Sequence, residues 1–340
     1  MDERNAKTGS LLLDLLAERQ FLLADGATGT NLFEMGLLSG EAPELWNEIH
    51  PDRVMALHRH FVEAGADIIL TNTFGCNARR LMLHNLQGET RKLNCKAAGH
   101  ARLVAERAGR AIVIAGSVGP TGDLLAPLGP LTEEEAVAVF AEQIAGLKEG
   151  GADLAWIETM SAPEEMRAAA RAASSLAMPY TLTASFDTVG RTMMGLAPAA
   201  LVALASEFSP APLAIGANCG VGASDLVMSM LDMAQAVEGL PLIAKANAGV
   251  PQWHGAHIHY SGSPEVMAQY ARLAHDAGAR IIGGCCGTTP AHLAAMRRAL
   301  DAHERGDRPT LEAVIAALGP LAQPRKDEPS APRRRERRRG

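Results

Sequence analysis

Hydrophobic residues recur along this chain as short continuous runs, each followed by a polar loop and then by an amphipathic segment. Eight such runs stand out, at residues 22–25, 67–71, 111–116, 154–157, 180–185, 213–216, 242–245 and 280–283. Runs without alternation, such as residues 112–115, are typical of parallel strands that are buried on both faces. We therefore predict eight β-strands in one parallel sheet.

The segments between the runs carry the sequence signals of helices. Thr132 and Glu135 form a capping box, in which each side chain satisfies a backbone amide of the other residue. Ser263 and Thr289 each precede a proline, as expected at a helix start. The alternation of strands and helices predicts right-handed crossovers, and eight such units favour a closed (β/α)8 TIM barrel over an open sheet.

We assign residues 1–322 to this single α/β barrel, with a leading helix over about residues 1–17. Residues 323–340 are rich in proline and charge, and we predict that they form a disordered basic tail. No apolar run approaches the roughly 18 residues that span a bilayer, and the polar start does not resemble a signal peptide. These features predict a cytoplasmic protein that does not bind membranes.

The net charge of −6 is unevenly distributed. The last ten residues hold six Arg and one Glu, and subtracting that +5 from −6 leaves −11 for residues 1–330. An acidic body of this kind is not typical of a nucleic-acid-binding protein. The basic tail could contact an acidic partner or RNA, but its composition favours a solvated segment.

Glycine-rich polar segments follow seven of the eight runs. They lie at residues 25–30, 71–75, 116–121, 158–159, 216–219, 245–249 and 283–288. In a (β/α)8 barrel the catalytic groups come from the carboxyl ends of the strands. The sequence therefore predicts an active site at the mouth of the barrel.

Three of the five cysteines, Cys219, Cys285 and Cys286, lie at two of these strand ends. Their strands are separated by one neighbour, so the strand axes lie about 10 Å apart and the thiols can converge on one ion. Three protein ligands with an open fourth position are typical of a catalytic zinc site. The three cysteines are therefore our predicted zinc ligands and catalytic centre, whereas Cys76 and Cys95 lack such partners and are interpreted as structural.

Three thiolates and Zn²⁺ carry a net charge of −1, which leaves little Lewis acidity for polarising a carbonyl group or water. The same centre can hold an incoming thiol in its deprotonated form, because metal coordination removes the thiol proton. A thiolate that stays nucleophilic is the reagent needed to accept a methyl group. The predicted zinc site therefore favours thiol methylation.

The segments 25–30, 71–74, 158–159, 216–219 and 283–287 together resemble the homocysteine S-methyltransferase family. This family includes betaine–homocysteine methyltransferase, S-methylmethionine-dependent enzymes and the homocysteine module of cobalamin-dependent methionine synthase. The resemblance covers residues 22–298. It implies that homocysteine is the substrate, that methionine is the product, and that the homocysteine sulfur is the fourth ligand of the zinc ion.

The resemblance also implies that Asp25 and Glu158 receive the ammonium group of homocysteine, and a charge-assisted contact from two strands suits this role. We expect the backbone amides around Gly26, Ala27 and Thr28 to form a nest for the substrate carboxylate. Further polar contacts with the substrate are predicted for Asn72, Ser117 and Asn247.

The sequence leaves the methyl donor open. A small onium compound, such as betaine or a sulfonium, is the predicted donor, and betaine is usually held in an aromatic cage. The loop after Phe74 continues with Gly75, Cys76 and Asn77, where betaine enzymes place a tyrosine. The candidate cage residues are Trp46, Trp156, Trp253 and Tyr260, and ordinary packing is the alternative interpretation of each.

The alternative donor is methylcobalamin carried on a separate protein, which would make this chain the homocysteine-activating subunit of a split methionine synthase. The segments 71–75, 247–251 and 285–290 are similar to the methionine-synthase module and favour this alternative. Free S-methylmethionine is the third candidate. We expect the protein to be a monomer or homodimer.

Other functions compete less well. Lys245 is the one candidate for the nucleophile of a Schiff-base aldolase, and the alternative interpretation is that it pairs with the carboxylates at the mouth. A zinc-storage or redox-sensing barrel would not need Asp25 and Glu158 opposite the thiols. His254, His257 and His259 are interpreted as part of a polar lid loop rather than a second metal site.

Overall fold

A computed structural model describes residues 9–249, 251–254 and 257–322, with the backbone alone described at 251–254 and 257–259. The strands are β1 (Leu22–Leu23), β2 (Ile68–Leu70), β3 (Val113–Val118), β4 (Leu154–Met160), β5 (Tyr180–Ala184), β6 (Ile215–Cys219), β7 (Leu242–Ala246), β8 (Pro251–His254), β9 (His257–Tyr260) and β10 (Ala279–Gly284). The predicted tail, residues 323–340, lies outside the described residues.

The α-helices are α1 (Leu11–Glu18), α2 (Gly29–Glu34), α3 (Trp46–Ile49), α4 (Pro51–Glu63), α5 (Ala78–Leu81), α6 (Thr90–Glu106), α7 (Glu133–Glu149), α8 (Pro163–Ser175), α9 (Pro198–Ala205), α10 (Ala223–Ala236), α11 (Pro264–Ala277), α12 (Pro290–Asp301) and α13 (Leu311–Leu318). Three short 3-10 helices lie at Pro43–Leu45, Met82–His84 and Gln87–Glu89. None of the described helices combines the length and apolar character needed to cross a membrane.

Eight parallel strands form one sheet in the order β1-β10-β7-β6-β5-β4-β3-β2. A parallel bridge between Ala24 and Ile68 joins its two ends, so the sheet closes on itself. Every predicted run overlaps one of these strands, although several strands extend beyond the predicted bounds. The predicted (β/α)8 barrel is confirmed, and the carboxyl ends of all eight strands open into one mouth.

The seam between β1 and β2 is closed by a buried carboxylate. Asp67 donates its backbone N–H to the Leu23 carbonyl at 2.6 Å and accepts the Leu23 N–H on Oδ2 at 3.0 Å. Its carboxylate also binds the guanidinium groups of Arg19, Arg110 and Arg297 at 2.7–3.1 Å. Asp67 thus holds together the amino-terminal end of the shortest strand pairing in the barrel.

Alternate residues of the strands enter two separate apolar clusters. One set fills the barrel interior, for example Val113 and Trp156, and α1 closes its amino-terminal end with three buried leucines. The other set, including Ile114 and Ile157, packs against the surrounding helices. Burial on both faces explains why the strands read as continuous apolar runs.

The predicted helix signals are confirmed where they can be checked. Thr132 and Glu135 form the predicted capping box at the start of α7, with Thr132 N–H donating to Glu135 Oε2 at 2.9 Å. Ser263 caps α11 through its hydroxyl, and Thr289 precedes α12. Part of the predicted leading helix is found as α1, Leu11–Glu18, and residues 1–8 lie outside the described residues.

The loop predicted after β7 contains a two-stranded antiparallel hairpin, formed by β8 and β9. Trp253, His254, His257 and His259 have their side chains outside the described residues, so their predicted roles stay predictions. Alternation of polar and apolar residues over four positions is too short to have identified these strands in the sequence.

We expect Asp67→Asn to lower the free energy of unfolding by about 2–3 kcal/mol, because three guanidinium groups lose their shared carboxylate while remaining partly hydrated. Urea denaturation would measure the change. Asp301→Asn is the matched control, since Asp301 also pairs with Arg297 but is exposed. Equal stability of the two variants would contradict the role of Asp67 in closing the barrel.

Candidate metal and substrate site

The structure brings together the three cysteines predicted to bind zinc. The Sγ atoms of Cys219, Cys285 and Cys286 all lie within 4.8 Å of one another. Cys219 ends β6, the other two follow β10, and β7 lies between these strands. Among the described residues, no other group of three His, Cys, Asp or Glu side chains has its ligand atoms this close.

An irregular backbone turns the three thiols toward one point. Cys219 has a φ of +61°, a left-handed conformation that is uncommon for a residue with a side chain. Gly287, directly after Cys286, has a φ of +77°. A regular strand would point the adjacent thiols of Cys285 and Cys286 to opposite faces. The departure from strand geometry therefore creates the cluster.

The donor set suits zinc. Thiolates are preferred ligands of Zn²⁺, and three ligands at about 2.3 Å from one ion require sulfur atoms within about 4 Å of each other. The hydrogen bond with Cys285 lowers the pKa of Cys219, but the bond with Cys286 and burial outweigh it and raise that pKa to about 11. Three buried thiols would therefore stay neutral at pH 7 unless a cation replaced their protons.

A buried ion pair lies on the inner side of the mouth. Lys245 Nζ donates to Asp25 Oδ1 at 2.8 Å, and both side chains are almost fully buried. Asp25 Oδ2 accepts the Leu70 N–H at 2.7 Å. Both carboxylate oxygens of Asp25 are thus engaged. Its predicted contact with an ammonium group stays a prediction.

Glu158 accepts a hydrogen bond from Ser117 Oγ at 2.5 Å and is 6% exposed. Burial raises the pKa of both Glu158 and Asp25. Burial alone would lower the pKa of Lys245, but the charges of Asp25 and Glu158 outweigh it and raise that pKa. Lys245 is therefore a charged partner of the mouth carboxylates, which does not suit a Schiff-base nucleophile.

One cavity of about 380 Å³ connects the thiols with this charged layer. Its lining includes the predicted residues Gly26, Ala27, Thr28, Asn72, Ser117, Glu158, Cys219, Cys285 and Cys286, together with Lys245. Asp25 and Asn247 are not part of the lining. The cavity volume falls in the range of small-molecule sites.

The loop predicted to bind the substrate carboxylate is packed against β10. Ala27 donates its N–H to the Thr288 carbonyl at 3.1 Å, so this amide already has a partner. A Cβ atom on Gly26 would lie 2.6 Å from the same carbonyl, which explains the glycine. The predicted nest of Gly26, Ala27 and Thr28 stays a prediction. The N–H of Ala27 would have to leave the Thr288 carbonyl in order to bind a substrate carboxylate.

The two predicted asparagines have structural partners. Asn72 Nδ2 donates to the Pro43 carbonyl at 2.7 Å and holds the loop after β1 against the cavity. Asn247 Oδ1 accepts the Cys286 N–H at 3.0 Å, and its Nδ2 lies 3.5 Å from Cys219 Sγ. Asn247 thus contacts the thiol cluster rather than the cavity.

Two residues were not predicted as part of the site. Asn218 Nδ2 lies 3.8 Å from Cys285 Sγ, and its Oδ1 accepts the Thr159 N–H at 2.8 Å. Thr159 has a φ of +60°. Both residues stand in the polar segments that follow β-runs, but a sequence pattern does not show which of them faces a thiol.

The candidate cage residues differ in their positions. Trp46 and Trp156 are 1% and 0% exposed and do not line the cavity, so both pack in the core. Tyr260 contacts the Cys286 thiol. The aromatic residues that do line the cavity are Phe33 and Phe74.

Cys76 is buried in a small apolar cluster away from the thiols, consistent with its predicted structural role.

A parallel barrel whose mouth holds three converging thiols beside buried carboxylates belongs to the class of barrels with a site that could hold a metal ion at the carboxyl ends of the strands. The chain belongs to the homocysteine S-methyltransferase family, whose model matches residues 22–300. The family resemblance of the sequence segments is confirmed.

Methionine synthases are similar to this chain over part of their length. The Mycobacterium tuberculosis (strain ATCC 25618 / H37Rv) protein is 31% identical over 337 residues, covering 92% of this chain and 27% of that protein. The Mycobacterium leprae (strain TN) protein is 30% identical, covering 92% and 28%. This chain therefore spans little more than a quarter of the length of these relatives.

Solved structures of the homocysteine methyltransferase MmuM from Escherichia coli share the fold. The metallated form matches with a TM-score of 0.71 at 26% identity, covering 84% of this chain and 99% of that chain. The oxidized form matches with a TM-score of 0.71 at 25% identity, covering 84% and 98%.

We expect Lys245→Met to lower the free energy of unfolding by about 3 kcal/mol, because Asp25 and Glu158 lose their shared buried counterion. Zinc binding by the three cysteines should persist, as measured by metal analysis after dialysis. Lys92→Met, at an exposed lysine, is the control and should leave stability unchanged. Unaltered stability of Lys245→Met would mean that both carboxyl groups are protonated in the native protein.

Proposed function

We propose that this chain is a zinc-dependent homocysteine S-methyltransferase that produces methionine. The observation that carries the proposal is the shared cavity, in which three converging thiols lie beside the buried Glu158 carboxylate. An amino acid with a thiol side chain needs two contacts. One is a cysteine-bound metal ion for its sulfur, and the other is a carboxylate for its ammonium group.

The residues of the mouth have separate tasks in this proposal. Cys219, Cys285 and Cys286 would hold the zinc ion, which when bound would keep the homocysteine thiol deprotonated. Glu158, held in place by Ser117, would bind the ammonium group. The ion pair of Lys245 and Asp25 would fix the charge balance around Glu158.

Methyl transfer then needs alignment rather than acid–base chemistry. The sulfur–methyl bond forms as the bond between the methyl group and the donor breaks, with the donor leaving on the far side of the carbon. Binding both reactants in one partly closed mouth supplies the proximity and the exclusion of water that this displacement requires.

The cavity supports a small onium compound, such as betaine, as the donor. Its volume of about 380 Å³ is of the size that accommodates small molecules. Phe33 and Phe74 line it and could contact an onium group, because an aromatic face attracts a cation. Trp46 and Trp156 do not take part in such a contact.

A second observation favours methylcobalamin carried on a partner protein. Ten of the twelve large hydrophobic residues that are exposed in the described part of the chain follow β1, β2, β3 or β5, and lie in α2, in the 3-10 helix Met82–His84 or in the loops after these strands. They are Phe33, Leu38, Phe74, Met82, Leu83, Leu124, Leu128, Val189, Met193 and Met194. An apolar rim around the mouth is typical of a protein-binding surface, and the longer methionine synthases support this alternative.

A methyl-transfer assay on the zinc-loaded protein tests both donors. Homocysteine would be supplied with betaine, dimethylsulfoniopropionate, S-methylmethionine or methylcobalamin in parallel, and Cys286→Ala is the control expected to lose activity. Methionine from a small onium donor would establish the first candidate. Activity with methylcobalamin alone would establish the second, and no methionine from any donor would refute the proposed substrate.

We expect Glu158→Gln to weaken homocysteine binding about 10–100-fold, the effect of losing one charged contact with the ammonium group. Titration calorimetry with zinc-loaded protein measures the dissociation constant. The control ligand is 4-mercaptobutyrate, which lacks the amino group and should bind both proteins equally. Equal weakening for both ligands would assign Glu158 to the metal site rather than to the ammonium group.

A further inference from the structure

Asn218 presents a hydrogen-bond donor to Cys285 in a fixed orientation. Its Oδ1 accepts the Thr159 N–H at 2.8 Å and the Thr183 hydroxyl at 2.7 Å. Its Nδ2 donates to Thr159 Oγ1 at 2.7 Å and lies 3.8 Å from Cys285 Sγ. Rotating the amide by 180° would place the Thr159 N–H, which can only donate, against the NH₂ group. The N–H group therefore faces the sulfur.

Asn247 is fixed against Cys219 by the same logic. Its Oδ1 accepts the Cys286 N–H at 3.0 Å, and its Nδ2 donates to the Gly220 carbonyl at 2.8 Å. These two backbone groups determine the orientation of the amide. The Cys286 N–H can only donate and must face Oδ1, whereas the Gly220 carbonyl can only accept and must face Nδ2. The same Nδ2 lies 3.5 Å from Cys219 Sγ. A second sulfur thus faces an N–H group.

Tyr260, the last residue of the β8–β9 hairpin, supplies the third donor. The interaction of its hydroxyl group with the Cys286 thiol lowers the pKa of that thiol, which is the effect of a donor. The ring packs on Gly287, where a Cβ atom would lie 2.2 Å from Tyr260 Cγ. A side chain at position 287 would displace the ring, so the glycine makes room for this contact. Each of the three sulfurs consequently has a donor of its own.

A hydrogen bond to a thiolate draws electron density from the sulfur, and the nucleophilicity of a thiolate falls as its basicity falls. We propose that Asn218, Asn247 and Tyr260 are positioning residues that make the three protein thiolates poorer nucleophiles, so that the methyl group goes to homocysteine. The inference deepens the proposed function and rests on its zinc centre. It explains how a site with four sulfurs methylates the substrate and not itself.

Methyl iodide tests the inference without homocysteine or the natural donor. A cysteine thiolate attacks the methyl carbon, the sulfur–methyl bond forms, and iodide leaves with the electrons of the carbon–iodine bond. Zinc-loaded protein would be treated briefly, and mass spectrometry of its peptides would give the methylation rate of each cysteine separately. The unaffected cysteines of each variant then serve as internal controls.

Tyr260→Phe removes only the hydroxyl group, and we expect about fivefold faster methylation of Cys286, with Cys219 and Cys285 unchanged. Asn218→Asp retains the acceptor for Thr159 but replaces the N–H donor, and it should accelerate methylation of Cys285 alone. Tyr180→Phe is the matched control, because the Tyr180 hydroxyl donates to a backbone carbonyl instead of a thiol.

Selective acceleration at the matching cysteine supports the inference. Equal acceleration at all three cysteines would overturn it, since this pattern indicates general opening of the site, and unchanged rates in a zinc-loaded variant would overturn it as well. Cobalt substitution gives a second measurement, in which Tyr260→Phe should shift the sulfur-to-cobalt charge-transfer band to longer wavelength. Failure of the wild-type protein to retain zinc would instead refute the proposed metal centre.

Discussion

Closure of the barrel between β1 and β2 is the constraint on which the site depends. The first strand has only two residues, so its backbone ladder is short. Two buried aspartates supplement it, one at each end: Asp67 accepts the Leu23 N–H, and Asp25 accepts the Leu70 N–H. Because Asp25 also binds Lys245, the side chain that completes the barrel is the one that fixes a charge at its mouth.

Above the apolar interior, the mouth brings the buried side chains of Asp25, Glu158 and Lys245 close to the thiol cluster. Lys245 Nζ lies 5.6 Å from the ring centroid of Trp156, which separates the charged layer from the core beneath it. Electrostatic contacts in such surroundings are stronger than in water. The thiol cluster lies in the same cavity, where the left-handed backbone of Cys219 and Thr159 departs from regular strand geometry. Local strain of this kind is typical of functional sites.

Much of the fold could be predicted because parallel strands buried on both faces leave continuous apolar runs. The same pattern placed Cys219 and Cys285 at strand ends with one strand between them, which was sufficient to predict their convergence. The position of Glu158 at the carboxyl end of β4 followed in the same way. These predictions needed only the strand order and the end of each strand.

The rest depends on the direction in which a side chain turns, which spacing along the chain does not determine. The burial of Trp46 and the engagement of both Asp25 oxygens follow from packing across the barrel. The orientation of Asn218 toward Cys285 depends on its hydrogen bonds with Thr159, which lies at the end of another strand. Such geometry is set by partners that are distant in the sequence.

The hairpin formed by β8 and β9 is inserted in the chain between β7 and β10, and it ends in Tyr260, whose side chain interacts with Cys286. A molecule that bound the hairpin and favoured one arrangement of Tyr260 would therefore change the affinity of the sulfur cluster for a metal ion. Linkage is reciprocal, so occupation of the cluster would change the affinity of the hairpin for that molecule by the same factor. The hairpin is thereby a route by which binding outside the barrel would reach the chemistry at its centre.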